Sequence, residues 1–277
     1  MEYLEYPPHP RLAAYIECYW SAFSEKPPFR EQESLIPDGT IELMFNFGDD
    51  YFHIRDGAYV KIKGAHVIGI RKEALSISQP GRQHFFCIRF KLGGTYPFFG
   101  IPGNLFANSF YTVEELLGRQ LKELEERLFE APGNVERVGI TNDFLLRKMD
   151  TGNTDYLFAL TCMPAVLKAP NIADVLRQFN LSYKALERKF SRVLGVSPSE
   201  LVRIKRFSNA VHAMYSGRFD SLTSIGYHCG YYDQSHFIRE FRQMTRFSPR
   251  EFLKEQFTIV QVIQPALAER LSKMYNL

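Results

Sequence analysis

The sequence has few cysteines, and they are isolated from one another. The 277 residues include four, at Cys18, Cys87, Cys162 and Cys229. Cysteines this scattered provide neither the framework of a disulfide-rich secreted domain nor the close pairs of a structural zinc site. They are typical of a protein held in a reducing compartment, so we predict a cytoplasmic location, no metal and no cofactor.

Long apolar runs are also missing. No run reaches the roughly 18 residues from which a transmembrane helix is built, and the N-terminal MEYLEYPPHP lacks the apolar segment of a secretory signal. Hydrophobic residues make up 45% of the chain and charged residues 23%, which excludes a disordered polymer. We expect no membrane partner, and one large or two modest domains.

The net charge is only +3, but it is unevenly divided along the chain. Residues 170–257 contain 14 Lys and Arg against 8 Asp and Glu, or +6, which leaves 20 basic and 23 acidic residues, or −3, elsewhere. A basic final third favours a polyanionic partner for that segment. Solvated helical faces are often basic as well, so charge alone does not identify nucleic acid.

The N-terminal part, residues 1–112, has the pattern of short β-strands. Aromatic and β-branched runs alternate with turn signals, the runs at 41–47, 59–62, 66–70 and 85–92, the turns at Pro37-Asp38-Gly39, Asp56-Gly57 and Gly93-Gly94. This spacing predicts a β-rich, cupin-like or sandwich domain. We also expect a short helix at Pro10–Trp20.

Residues 113–169 have a helical pattern instead. Apolar residues recur at steps of three and four, at Val113, Leu117, Leu121, Leu124 and Leu128. Two more helices are predicted at 135–149 and 154–168. The apolar stripe is suited either to a dimer seam or to packing on the β domain. Residues 257–277, a strand-like run and a short amphipathic helix, form a predicted C-terminal extension.

An internal repeat occupies residues 170–256. When the chain is shifted by 51 residues, Leu186 aligns with Phe237, Arg188 with Arg239 and Phe190 with Phe241, and a Ser-Pro-x-Glu motif recurs at 197–200 and 248–251. In that motif the serine is suited to cap a helix, the proline to open it and the glutamate to complete a capping box. Ser182 and Asp233 are placed to start the helices upstream.

Each of those upstream helices has an apolar back and a cationic front. At 100° per residue, Lys184 and Arg188 lie opposite Leu186 and Phe190, and the second copy repeats the arrangement. Shorter helices, predicted at 172–179 and 222–229, precede them across a tight turn. The segment therefore predicts two helix-turn-helix units, whose arginines could contact guanine or phosphate.

The residues of this segment resemble the AraC/XylS family of bacterial transcription regulators. The resemblance is carried by GYHCGYYDQSHFIREFR at 226–242, FSPREF at 247–252, LSYKALERKF at 181–190 and LGVSP at 194–198. It implies two helix-turn-helix units joined by a long helix, here about Pro198 to Tyr215, with recognition helices in successive major grooves. The DNA-binding residues that it implies are Lys184, Glu187, Arg188, Arg192, Gln234, Ser235, Ile238, Arg239 and Arg242.

Two positions depart from the family pattern. Arg246 stands where glycine usually precedes the second Ser-Pro motif, so it needs another way round the turn or contacts phosphate. Leu253 stands where an arginine often follows the aromatic residue. Neither change removes a predicted recognition residue.

The resemblance gives the β-rich part the role of a sensor or dimerisation domain. The partners that it implies are double-stranded DNA, a small-molecule effector, a second copy of the chain and, for an activator, RNA polymerase. The histidines at 53, 66 and 84 are too dispersed for a cupin metal site. The many phenylalanines of this part could line an effector pocket or simply form the core.

The sequence thus predicts an α+β chain with a β-rich N-terminal domain followed by an all-α double helix-turn-helix domain. The predicted function is that of a non-enzymatic, sequence-specific DNA-binding transcription regulator. One alternative is a small-molecule-binding or metal-dependent cupin-like enzyme with a secondary DNA-binding module. A second is a helical repeat that contacts another protein.

Overall fold

The computed structural model describes residues 2–25, 32–62, 64–108, 110–112, 118–150, 152–169, 171–215 and 219–254. An N-terminal β part is followed by a helical part, which confirms the α+β fold class. The predicted C-terminal extension at 257–277 lies outside the described residues, as do Val113 and Leu117 of the apolar stripe.

The β part consists of two antiparallel sheets. The first has the order β1-β2-β9-β4-β7-β10 and the second the order β3-β8-β5-β6. The strands are β1 (Glu2–Tyr6), β2 (Ile16–Ser24), β3 (Glu33–Leu35), β4 (Ile41–Asn46), β5 (Tyr51–Arg55), β6 (Ala58–Ile62), β7 (His66–Ile68), β8 (Leu75–Ser78), β9 (Gln83–Phe90) and β10 (Phe110–Thr112).

Apolar side chains from both sheets pack into one cluster between them, which makes the domain a sandwich. Trp20 of β2 and Cys87 of β9 come from the first sheet, and Leu75 and Ile77 of β8 from the second. The other face of the first sheet, with Phe86 and Ile88, joins a larger core that includes the helices. The alternation of side chains along each strand explains how one sheet serves two cores.

The predicted helix at Pro10–Trp20 is wrong. Only Pro10–Leu12 form a 3-10 turn, and β2 begins at Ile16. Within β2, Cys18 and Trp20 point into the sandwich whereas Tyr19 belongs to the larger core. Residues buried on both faces leave no polar alternation for a sequence pattern to detect, so the strand resembled a helix.

The helices are α1 (Tyr96–Phe99), α2 (Arg119–Glu130), α3 (Asn134–Lys148), α4 (Thr154–Lys168), α5 (Ile172–Gln178), α6 (Tyr183–Leu194), α7 (Pro198–Tyr215), α8 (Leu222–His228), α9 (Gln234–Thr245) and α10 (Pro249–Lys254). The predicted helices at 135–149 and 154–168 are thus confirmed as α3 and α4. The predicted long connecting helix is confirmed as α7.

The described part of the apolar stripe packs within its own chain. Leu121, Leu124 and Leu128 of α2 are buried in the larger core. The carboxylate of Glu125 accepts a hydrogen bond from the backbone nitrogen of Ala65, at 2.7 Å, next to β7. Of the two uses open to the stripe, these three leucines therefore serve packing on the β domain.

Candidate DNA-binding surface

Two helix-turn-helix units are present, α5 with α6 and α8 with α9. The Oγ atom of Ser182 caps α6 by accepting from the backbone nitrogen of Ala185, at 3.3 Å. The carboxylate of Asp233 caps α9 by accepting from the backbone nitrogen of His236, at 2.6 Å. Both predicted starts of the recognition helices are therefore confirmed.

Both capping boxes downstream are present as well. The nitrogen of Ser197 donates to the Glu200 carboxylate at 2.8 Å, and the nitrogen of Glu200 donates to Ser197 Oγ at 3.2 Å. Ser248 and Glu251 repeat both bonds, at 2.6 and 3.3 Å. These bonds fix where α7 and α10 begin, and so set the turn at the end of each recognition helix.

Recognition helix α6 presents its predicted contact residues to solvent. Leu186 and Phe190 are fully buried, whereas the four predicted residues, Lys184, Glu187, Arg188 and Arg192, are exposed. Arg192 lies 3.6 Å from Asp155 of α4 and keeps 58% of its side chain exposed. Three basic side chains thus lie on the outside of a helix that is held by its apolar back.

Recognition helix α9 has the same construction. Phe237 and Phe241 are fully buried, whereas the five predicted residues, Gln234, Ser235, Ile238, Arg239 and Arg242, are exposed except for Ile238, which is half-buried. Arg242 approaches Glu251 only to 4.0 Å. The structure therefore brings each predicted set together on the solvent side of its own helix.

A buried carboxylate behind α9 was not found by sequence reasoning. Glu240 lies on the inner side of α9 and accepts from Arg206 of α7 through both oxygens, at 3.1 and 2.6 Å. Arg203 and His236 lie 3.8 and 3.5 Å from the same carboxylate. A buried carboxylate paired with arginine fixes one helix against another, and only the tertiary arrangement reveals it.

The β domain contacts both the first turn of α7 and the C-terminal end of α6 directly. Lys72 Nζ lies 2.7 Å from the carboxylate of Glu200, and hydrogen bonds from Lys72 and Ser197 lower the pKa of that carboxyl against the opposing effect of burial. A Cβ added to Gly103 would lie 2.6 Å from the nitrogen of Gly195. Backbone packing this close leaves no room for a side chain, so the two parts are fitted to each other.

Arg246, which departs from the family pattern, occupies the matching position at the end of α9. Its φ of 69° places it in the left-handed region that glycine normally occupies, and its backbone N–H donates a hydrogen bond to the carbonyl oxygen of Arg242. Its guanidinium lies 3.4 Å from Ser76 Oγ of the β domain. Arg246 therefore makes the turn with the backbone conformation that glycine usually supplies, and its side chain contacts β8 of the β domain.

The histidines and cysteines form no metal site among the residues that the structure describes. Burial lowers the pKa of His66 to about 4 despite a hydrogen-bond contact with Gly64 O, and desolvation likewise lowers the pKa of His53 and His84. Burial raises the pKa of the Cys229 thiol to about 11.

No helix in the described ranges combines the length and apolarity needed to cross a membrane.

Two family models match the chain. Residues 4–112 match a domain of unknown function, DUF6597, and residues 175–255 match a helix-turn-helix domain. The second range begins within α5 and ends next to α10. It therefore covers both recognition helices and all of the predicted contact residues.

The chain is also similar, over part of its length, to curated transcription regulators. It is 35% identical over 74 residues to the HTH-type transcriptional activator RhaS of Escherichia coli O157:H7, covering 27% of this chain and 26% of the relative. It is 28% identical over 120 residues to RhaS of Salmonella paratyphi B, covering 43% and 40%. The chain thus spans about a quarter to two fifths of the length of these relatives.

Solved structures of ToxT from Vibrio cholerae are also similar, at low identity. One, at 13% identity, covers 85% of this chain and 98% of ToxT with a TM-score of 0.45. Another, with an unsaturated fatty acid bound, has 14% identity, covers 85% of this chain and 94% of ToxT, and has a TM-score of 0.44.

By the family match and the RhaS relatives, residues 175–255 of this chain are an AraC-type helix-turn-helix domain.

Proposed function

We propose that this protein is a sequence-specific, DNA-binding transcription regulator whose β domain controls how the DNA-binding domain is presented. The observation that carries the proposal is the pair of capped helices α6 and α9. Each is fixed by a buried apolar face and presents arginine at the same position of the repeat, Arg188 and Arg239. A surface repeated in one register is suited to a partner that is itself repetitive, as duplex DNA is.

Affinity and specificity come from different residues in this proposal. The basic side chains, including Lys184, Arg192 and Arg242, contact phosphates and make binding weaker as salt rises. Arg188 and Arg239 reach base edges, where a guanidinium can bind guanine through two hydrogen bonds. Glu187, Gln234, Ser235 and Ile238 complete the readout of neighbouring bases.

Regulation acts through the contact between the β domain and the recognition helices. The contacts of Gly103 with Gly195 and of Ser76 with Arg246 join the β domain to the C-terminal ends of α6 and α9, and that of Lys72 with Glu200 joins it to the first turn of α7. An effector or a second copy of the chain that bound the β domain and shifted these contacts would change how the helices meet DNA. RNA polymerase is the further partner if the protein activates, and the proposed role needs no catalytic step.

Selection of random duplex DNA by the purified protein tests the proposal, with Arg188→Ala and Arg239→Ala beside the parent. We expect one site of about two helical turns, with each variant relaxing a different half of it at a cost of about 1–3 kcal/mol. Arg55→Ala removes an exposed arginine of the β domain and serves as control. Selection of no sequence by the parent, with or without small molecules from a cell extract, would overturn the proposal.

A further inference from the structure

The repeat extends further upstream in the structure than the helix-turn-helix units. With the same shift of 51 residues, Tyr156 of α4 aligns with Phe207 of α7, and Ala159 aligns with Ala210. All four are buried. Helix α4 packs on α6 as α7 packs on α9, so each unit consists of three helices, with a supporting helix first.

Each unit has an ion pair between its supporting helix and its recognition helix at equivalent positions of the repeat. In the first, Lys189 Nζ lies 3.1 Å from the carboxylate of Asp155. In the second, Arg206 Nη2 lies 2.6 Å from the carboxylate of Glu240. Asp155 aligns with Arg206 and Lys189 with Glu240 at the shift of 51 residues. The two pairs therefore occupy equivalent positions with the charges exchanged.

The exchange of charges discriminates between the two ways in which the helices could be paired. If α6 took the place of α9 on α7, Lys189 would face Arg206, and if α9 took the place of α6 on α4, Glu240 would face Asp155. Both wrong pairings place like charges at the short distance where opposite charges now lie, and such contacts are destabilising. Two homologous units in one chain need such a distinction because their apolar contacts are alike.

The surroundings strengthen both pairs. Lys189 Nζ also lies over the ring of Phe158, 4.8 Å from its centroid, and Asp155 is approached by Arg192 at 3.6 Å. The Glu240 side chain is only 9% exposed. Partial burial and a second cation near each carboxylate make these pairs stronger than isolated surface pairs.

We propose that Asp155 and Arg206 are positioning residues that assign each recognition helix to its own supporting helix. On this proposal the DNA-reading unit begins at α4, upstream of the matched range 175–255 and of the sequence-predicted boundary at 170. The proposal rests on the proposed function, because the positions of α6 and α9 matter through the DNA that they read.

Charge reversal in the full-length protein tests the proposal. The variants are Asp155→Lys, Lys189→Glu and the double variant, which gives the first unit the polarity of the second. Binding is measured to the selected duplex and to duplexes with either half-site scrambled. We expect each single variant to weaken binding about three- to tenfold through the half-site read by α6 alone, and the double variant to restore it within about twofold.

Asp174→Lys is the matched control, because it makes the same charge change on exposed α5, where Asp174 pairs with Arg177. An added positive charge strengthens non-specific DNA binding, so only a loss of positioning weakens Asp155→Lys relative to this control. A double variant as weak as the single ones, or an equal loss at both half-sites, would overturn the proposal.

Thermal unfolding of the same variants gives a readout that does not depend on DNA. A double-mutant cycle between positions 155 and 189 is expected to show favourable coupling of the native pair and of the reversed pair. Absence of coupling overturns the proposal even if the parent selects no DNA sequence. Favourable coupling without sequence selection would instead contradict the proposed function alone. If Asp155→Lys fails to fold, Asp155→Asn replaces it in both measurements.

Discussion

Gly103 of the β domain and Gly195 at the end of α6 are packed backbone to backbone, so that a Cβ on Gly103 would lie 2.6 Å from the nitrogen of Gly195. Gly195 also has a φ of 80° as the C-cap of α6. The residue that ends the first recognition helix, Gly195, is therefore also a residue on which the β domain packs. The β domain and the helix-turn-helix domain are therefore in direct backbone contact at Gly103 and Gly195.

Gly103→Ala is expected to destabilise the protein by about 1–3 kcal/mol, the usual cost of forcing a methyl group into a packed site. The added methyl meets backbone atoms, which cannot rotate away. The change is read from the free energy of unfolding in denaturant. Gly139→Ala, in α3 with open space around it, is the control and should stabilise by about 0.5–1 kcal/mol. Equal effects of the two substitutions would contradict the tight contact.

Glu240→Gln is expected to cost about 3 kcal/mol, the low end of the range for breaking a buried ion pair. The amide leaves Arg206 and Arg203 without their shared negative partner. Chemical denaturation measures the loss. Asp174→Asn, which breaks the exposed pair with Arg177, should cost less than about 1 kcal/mol. Similar losses at the two sites would show that Glu240 acts as an ordinary surface charge.

Asp233→Ala is expected to destabilise α9 by about 1 kcal/mol, because the carboxylate caps the helix through the nitrogen of His236. The loss should raise amide hydrogen exchange in the first turn of α9 and leave α6 unchanged. Asp233→Ser keeps a capping oxygen and should recover most of the stability. Faster exchange that spread equally to α6 would indicate a global effect instead of a lost cap.

Acidification should destabilise the β domain through His66. Burial lowers the pKa of His66 to about 4, whereas histidine in an unfolded chain has a pKa of about 6.5. Between those two values only the unfolded state binds the proton, so stability is full above pH ~6.5 and falls as the pH drops toward ~4, by about 3 kcal/mol in total.

Unfolding free energies measured from pH 7 to pH 4.5 check this, with His66→Phe as the comparison. The variant lacks the titrating ring, so its stability should fall less steeply with acid than that of the parent. Parallel curves for the parent and His66→Phe would contradict the assignment.

Local chemistry made a large part of the helical region predictable. The Ser-Pro-x-Glu repeats specify where α7 and α10 begin, because caps and prolines act over a few residues. The apolar spacing of Leu121, Leu124 and Leu128 likewise located α2. Long-range contacts such as Lys72 with Glu200 or Asp155 with Lys189 left no such signal. They join residues far apart in sequence, and either member alone is an ordinary surface charge.

The β domain was predictable in kind but not in detail. Turn residues such as Asp56-Gly57 located the hairpin between β5 and β6, where both φ angles are positive. β2 was missed because it is buried on both faces. The individual roles of Lys184, Glu187, Arg188 and the other contact residues stay predictions, since exposure on a recognition helix is necessary for base contact but does not establish it.

Arg246 and Gly195 occupy the same place in the two repeats, and both contact the β domain, at Ser76 of β8 and at Gly103 respectively. The angle between the recognition helices is therefore held at three points, by α7 and by the contacts of the two helix ends with the β domain. On the proposed function, the separation of the bases read by α6 and α9 would then depend on residues such as Ser76 and Gly103, which lie outside both recognition helices. Under the same proposal, operator spacing would be set by residues of the β domain, and base preference by the exposed residues of α6 and α9.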